Sequence, residues 1–233
     1  MTSFPFDAVL FDCDGVLVDS EPITGAVLTE MLGELGWQLT LDETMRIFMG
    51  KAVKDEAARI EAHTGFALTP EWLAQFWARR NVALERDLVA IGGALEAVHA
   101  LHDTLQGRIA VGSGADRGKI ALQLAKVGML AYFEGRFFSG HDMPRSKPHP
   151  DVYLAAARAL GVDPSRCAVI EDTVTGAAAG VAAGATVFGY SPPQAGHSAP
   201  EALRQAGVVE IFQDMGRLPQ VLAGWAGRTA SPA

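Results

Sequence analysis

The sequence predicts a doubly wound α/β fold, a parallel sheet with helices on both faces, carrying an inserted all-helical domain. Three observations point there. Short, continuously apolar runs recur and stop abruptly at Asp, Ser, Gly or Glu. Helical patterns alternate with the later runs, which is how βα units build a parallel sheet. The stretch 20–91 shows no strand-like alternation at all.

Taken in order, Ala8-Val9-Leu10-Phe11 is apolar on both faces and ends in Asp12-Cys13-Asp14-Gly15. A run of that kind reads as a buried parallel strand. Next comes the helical stretch. Val27, Met31 and Leu35 share one helix face, and Trp72, Phe76 and Arg80 repeat the spacing. About four helices are expected there, with breaks near Gly36, Gly50 and Gly65. Further strands are expected at 109–111, 168–170 and 186–189, and helices at 116–127, 150–160 and 173–183. The division this predicts is an α/β core from 1–19 and 92–233 with a helical cap at 20–91. Ser20-Glu21-Pro22 and Glu85-Arg86-Asp87 are the expected hinges, and the tail from Arg228 is expected to fray.

Composition sets bounds on function. The 233 residues make one large domain or two small ones, and 49% hydrophobic residues supply a core. Lys plus Arg is 19 against 27 for Asp plus Glu, a net charge of −8, without the basic footprint of a nucleic-acid binder. Two cysteines are too few for a disulfide framework and read as reduced intracellular thiols. The N-terminus has no basic segment before Asp7, and the apolar stretch 177–187 is too short to span a membrane. A cytoplasmic protein acting on a small molecule is the expectation, with no nucleic-acid or membrane partner. A monomer is favoured, although no feature sets the oligomeric state.

Parallel sheets bind ligands beyond the carboxyl ends of their strands. The residues standing there are Asp12 and Asp14, Ser113 and Gly114, and Glu171 and Asp172. Each alone could simply begin a loop or cap a helix. Together, four carboxylates repel one another unless a cation neutralises them, and hard oxygen donors select Mg²⁺. Asp12, first after its strand, is a competent nucleophile toward phosphorus. Asp14 returns to the same side and can protonate a leaving oxygen, then deprotonate water. Ser113, Gly114 and the helix start after them offer a hydroxyl and backbone N–H groups to phosphate oxygens. Lys147, between the prolines of Arg145-Ser146-Lys147-Pro148-His149-Pro150, is the candidate phosphate cation.

The segment Asp12-Cys13-Asp14-Gly15-Val16-Leu17-Val18-Asp19-Ser20-Glu21 resembles the first motif of the haloacid dehalogenase superfamily. Ser113, Lys147 and Glu171-Asp172-Thr173 follow in the order and spacing of its other three motifs. The resemblance covers nearly the whole chain, cap included, and is strongest toward the phosphoglycolate phosphatase and β-phosphoglucomutase-like subfamily. It implies Asp12 as nucleophile, Asp14 as acid and base, and Ser113 and Lys147 as phosphate ligands. It also implies Mg²⁺ on Asp12, the Asp14 carbonyl and Asp172, with Glu171 ligating directly or through water.

Asp14 argues against carbon–halogen chemistry, because the dehalogenases lack the second aspartate. Thr24 stands where the sugar-phosphate mutase carries a hinge histidine, which favours release of phosphate to water. The stretch 137–148 looks most like bacterial sugar-phosphate phosphatases, among them enzymes acting on 6-phosphogluconate. The expected activity is therefore hydrolysis of a phosphorylated metabolite through an aspartyl-phosphate. A phosphomutase, and a receiver-type module that stores phosphate on Asp, are the alternatives. Around the break at Gly50, Lys51 and Lys54 are candidates to read a second anionic group such as a carboxylate.

Other residues receive plainer readings. Cys13 and Cys167 are expected to pack, and His141 and His149 to sit on loops or helix starts. Trp72, Phe76 and Trp77 read as cap core rather than a sugar-stacking face. Gly176, Gly180 and Gly184 are expected to let a helix pack close to the sheet.

Overall fold

A computed structural model describes residues 4–48, 51–193 and 198–226. Strand β1 (Ala8–Phe11) leads into the helices α1 (Glu21–Glu34), α2 (Leu41–Phe48), α3 (Ala57–Thr64) and α4 (Pro70–Asp87). The chain then alternates: α5 (Ala94–Thr104), β2 (Ile109–Ser113), α6 (Arg117–Lys126), β3 (Phe137–Ser139), α7 (Asp151–Leu160) and β4 (Cys167–Glu171). It continues through α8 (Val174–Ala182), β5 (Thr186–Tyr190), α9 (Pro200–Gln205), β6 (Glu210–Phe212) and α10 (Leu218–Ala223). The six strands form one parallel sheet in the order β3-β2-β1-β4-β5-β6.

Alternation along β1 sends Val9 and Phe11 into one apolar layer and Ala8 and Leu10 into the other. The first layer joins β1 to α5, α6 and α10 through Val98, Leu101, Ile120, Leu124 and Leu222. The second joins it to α7 and α8 through Val152, Tyr153, Ala156 and Ala177. Helices on both faces make burial complete, so β1, β2 and β4 are buried at every position. Strands β3 and β6 escape the sequence reading. They are three-residue edge strands, half-buried, with too few positions to display a period.

The helices α1–α4 close on their own apolar cluster, built on Val27, Leu28, Met31, Leu32, Phe48, Ile60, Trp72 and Phe76. Their ends follow local chemistry. Thr69 accepts a hydrogen bond from Trp72 N to cap α4, with Pro70 in its first turn, and Gly65 closes α3 at φ 70°. Glu85-Arg86-Asp87, expected as a hinge, is instead the last turn of α4. The return to the sheet runs through Leu88 to Ile91. There Val18 bridges Ala90, Asp19 N donates to Val89 O, and Ile91 N donates to Leu17 O. Gly180 packs as expected, since a Cβ would meet Val187 at 2.8 Å. Gly184 does not: the space beside it is open, and its φ of 85° marks a turn. The expected break at Gly50 and the tail from Arg228 lie outside the described residues.

Candidate active site

The carboxyl ends of β1, β2 and β4 meet beneath α1 and α4 at a cavity of about 490 Å³. Asp12, Asp14, Ser113, Gly114, Lys147 and Asp172 line it, as do Lys51 and Lys54 from the helical layer. Glu171 stands just behind, fully buried, and Gly50 lies outside the described residues.

Asp12 is fixed by its own backbone, whose N–H donates to Ile170 O at 3.0 Å, and by Lys147 Nζ, 2.8 Å from Oδ1. The ammonium also donates to Glu171 Oε1 at 2.6 Å and lies 4.8 Å above the Tyr153 ring. Tyr153 Oη donates to the same Glu171 oxygen at 2.6 Å. The other oxygen accepts from Asp172 N, Thr173 N and Thr173 Oγ1. Glu171 is thus held from both sides and in turn aims Lys147. A side chain at 176 would collide with this carboxylate, so a glycine there is required by close approach.

Asp12, Glu171 and Asp172 offer carboxylate oxygens within 4.8 Å of one another. Burial pushes Asp12 up to about 7, with Lys147 opposing and Glu171 and Asp14 adding to the rise. Burial, then Glu171 and Asp12, likewise hold the Asp172 carboxyl well above the usual carboxylate range. Asp12 and Asp172 therefore resist ionising together in this buried site.

Asp14 has the opposite character. Its Oδ1 accepts from Lys119 Nζ at 2.9 Å, Gln123 Nε2 at 2.7 Å and Ser20 Oγ. Burial alone would raise this carboxyl, but Lys119 and the three donors outweigh it and hold it at about 2. Gln123 is oriented from behind by the buried Cys13 thiol, 3.5 Å from Oε1. Cys13 therefore packs away from the cavity as expected, and burial raises its thiol well above the ordinary range. Gly15 adopts φ 75° directly beneath Asp172, where a Cβ would strike that carboxylate.

Ser113 ends β2 buried, with Oγ accepting from Ala115 N at 3.0 Å, and Gly114 beside it is exposed to the cavity. His141 is exposed and lines the cavity, whereas His149 does not. Trp72 and Phe76 stack at 6.1 Å in the helical core, while Trp77 opens onto the cavity.

Sequence reasoning missed Lys119, Gln123, Tyr153 and the role of Ser20. Lys119 and Gln123 sit at i, i+4 on α6, a polar pair on the buried face that also carries Ile120 and Leu124. That was a readable signal. Tyr153, in an apolar helix face, offered none.

Residues 6–184 match the family described as haloacid dehalogenase-like hydrolases. The chain is 32% identical over 223 residues to the 6-phosphogluconate phosphatase of Escherichia coli (strain K12), which spans 94% of this chain and 96% of that protein. It is 29% identical over 179 residues to a fructose-1-phosphate phosphatase of the same organism, covering 77% and 93%. Among solved structures, a hydrolase of this family from Deinococcus radiodurans R1, with bound phosphate and sodium, is 38% identical with a TM-score of 0.77, covering 94% and 96%.

Proposed function

The chain belongs to the haloacid dehalogenase-like hydrolases, and on that premise we propose that it is a cytoplasmic, Mg²⁺-dependent phosphatase of sugar or sugar-acid phosphates. The observation that carries the reading is the buried Asp12 carboxylate, 2.8 Å from Lys147 Nζ at the floor of the cavity. A phosphoryl group entering there meets a nucleophile and a cation already aligned.

In the first step an Asp12 oxygen attacks phosphorus, the P–O ester bond breaks, and Asp14 supplies a proton to the leaving alkoxide. In the second, water attacks phosphorus, its proton goes to Asp14, and phosphate departs from the regenerated Asp12 carboxylate. The clamp on Asp14 Oδ1 holds the ionised form, the one that accepts the water proton. Acting as acid requires that clamp to loosen. Lys147 and Ser113 hold the phosphate oxygens, and Glu171, tied by its own hydrogen bonds, keeps Lys147 in position.

The donor set suits a divalent cation, because buried oxygens that repel one another are what such an ion relieves. We assign it to Asp12, the Asp14 carbonyl and Asp172, with Glu171 nearby. Bound there, Mg²⁺ neutralises charge on the carboxylates and the phosphate.

The helices of 20–91 serve as the cap that reads the rest of the substrate and excludes water. Thr24 Oγ1, buried at the cavity wall without a hydrogen-bond partner among the described residues, offers a hydroxyl and no base. That favours hydrolysis over return of phosphate to a sugar. A panel of phosphorylated metabolites tests the reading. Free phosphate should be released with multiple turnover from sugar phosphates. Stable self-phosphorylation or isomer formation without phosphate release would overturn it.

A further inference from the structure

Five Lys and Arg side chains line the cavity among the described residues, and they differ in how far they are committed. Lys147 is bound to Asp12 and Glu171, and Lys119 to Asp14. Lys51 turns to Glu56 at 3.2 Å with 43% of its side chain exposed, and Lys54 is exposed too. Water screens both.

Arg80 is unlike any of these. It projects from α4, its side chain is only 8% exposed, and it still lines the cavity. Nε and Nη2 donate to Asn81 Oδ1 at 3.1 and 2.8 Å, and Nη2 reaches Asp116 Oδ2 at 3.2 Å. Nη1 has no hydrogen-bond partner among the described residues. Asp116 holds it by a single contact, is itself 40% exposed, and uses its other oxygen to cap α6 at Lys119 N. A guanidinium held in a largely buried side chain, with a spare donor open to the cavity, binds a carboxylate more strongly than a solvated lysine does. Trp77, three residues earlier on α4, also lines the cavity and is 41% exposed.

We propose that Arg80 is the specificity-determining residue of this cavity, receiving the carboxylate of a phosphorylated sugar acid at the end remote from the phosphate, with the Trp77 indole flanking the carbon chain. The inference rests on the phosphatase reading of the same cavity, which fixes the phosphate at Asp12. The competing role for Arg80 is a latch that ties α4 to the sheet through Asp116 and reads no substrate.

Kinetics on 6-phosphogluconate, glucose 6-phosphate and phenyl phosphate separate the two roles. Arg80→Gln should lower the ratio of kcat/KM for 6-phosphogluconate over phenyl phosphate about 30-fold, mainly through KM, as loss of a charge-assisted hydrogen bond predicts. Arg80→Lys should recover part of it. Asp116→Asn still caps α6 and should leave the ratio within about threefold. Parallel losses on all three substrates in Arg80→Gln and Asp116→Asn would identify a latch and overturn the proposal, as would an unchanged ratio. Calorimetric binding of 6-phosphogluconate and glucose 6-phosphate to the Asp12→Asn protein, with and without Arg80→Gln, reads the same preference without turnover. If the wild type released phosphate from none of the three, the phosphatase reading would fall, while carboxylate-selective binding lost with Arg80→Gln would still uphold Arg80.

Discussion

The strand ends and the helical wall opposite them face one cavity and are built in contrary ways. On the sheet side Lys147 is directed by two carboxylates, Glu171 by five donors and Asp14 by three. On the helical side Lys51 and Lys54 reach toward solvent and Trp77 is partly open, while Arg80 is buried, as are the apolar Leu28, Phe48 and Phe76. Fixed direction is what a transition state requires, since misplacement of the reacting groups is costly. Looser side chains suffice to sort substrates by size and charge. On the proposed reading, chemistry falls to one wall and selection to the other.

The largest break in that contrast should come from Asp12→Asn. An amide cannot attack phosphorus, so kcat should fall by about 10³-fold or more while the far-ultraviolet circular dichroism spectrum is unchanged. Residual activity above one part in about a hundred would remove Asp12 from the nucleophile's role. Removal of divalent metal by a strong chelator should also abolish phosphate release, and Mg²⁺ should restore it. Undiminished turnover after exhaustive dialysis against chelator would exclude the metal assignment.

Lys119→Met should cost about 10- to 100-fold in kcat with little change in KM, because the orientation of Asp14 is lost and substrate contacts are not. A loss confined to KM would place Lys119 on the selecting wall instead. Glu21, where α1 meets the sheet side, gives a pH-dependent test of stability. Burial, with Asp14 beside it, raises its carboxyl from 4.5 to about 6. A raised carboxyl favours the protonated fold, so its contribution is complete below 4.5 and lost as pH rises through 6. Glu21→Gln should therefore stabilise the protein by about 1–2 kcal/mol at pH 8 and negligibly at pH 4. Thermal melts of the two proteins at both values measure it, and equal shifts at the two would refute the assignment. The smallest effects belong to Lys51→Ala and Lys54→Ala, each changing KM for a sugar-acid phosphate by about threefold or less. A larger change would move selection from Arg80 to the cavity mouth.

What the sequence made legible follows from where chemistry coincides with pattern. The strand at 8–11 ends in Asp12 and Asp14, and an apolar run meeting two carboxylates is readable at sight. The edge strands 137–139 and 210–212 are not, because three residues cannot show a period. Lys119 and Gln123 were legible in principle, as a polar pair spaced i, i+4 and adjoining Ile120 and Leu124 on the buried face of α6, but no motif draws attention to them. Arg80 stood in plain view as a charge in an apolar repeat with Trp72 and Phe76. Only the tertiary packing shows that the repeat carries it to a cavity wall rather than to the surface.

The bridge between Val18 and Ala90 has a consequence for how such a chain can change. The two backbones that enter and leave the helical layer are bonded side by side, so to the sheet the whole insertion is a loop whose ends already touch. Closing a loop becomes less favourable only with the logarithm of its length: doubling one of roughly seventy residues adds about 0.6 kcal/mol. Loop closure therefore sets little limit on the length of the helices beyond that bridge; the constraint that remains is the face of α4 that carries Leu84 into the sheet's apolar layer and Arg80 to Asp116.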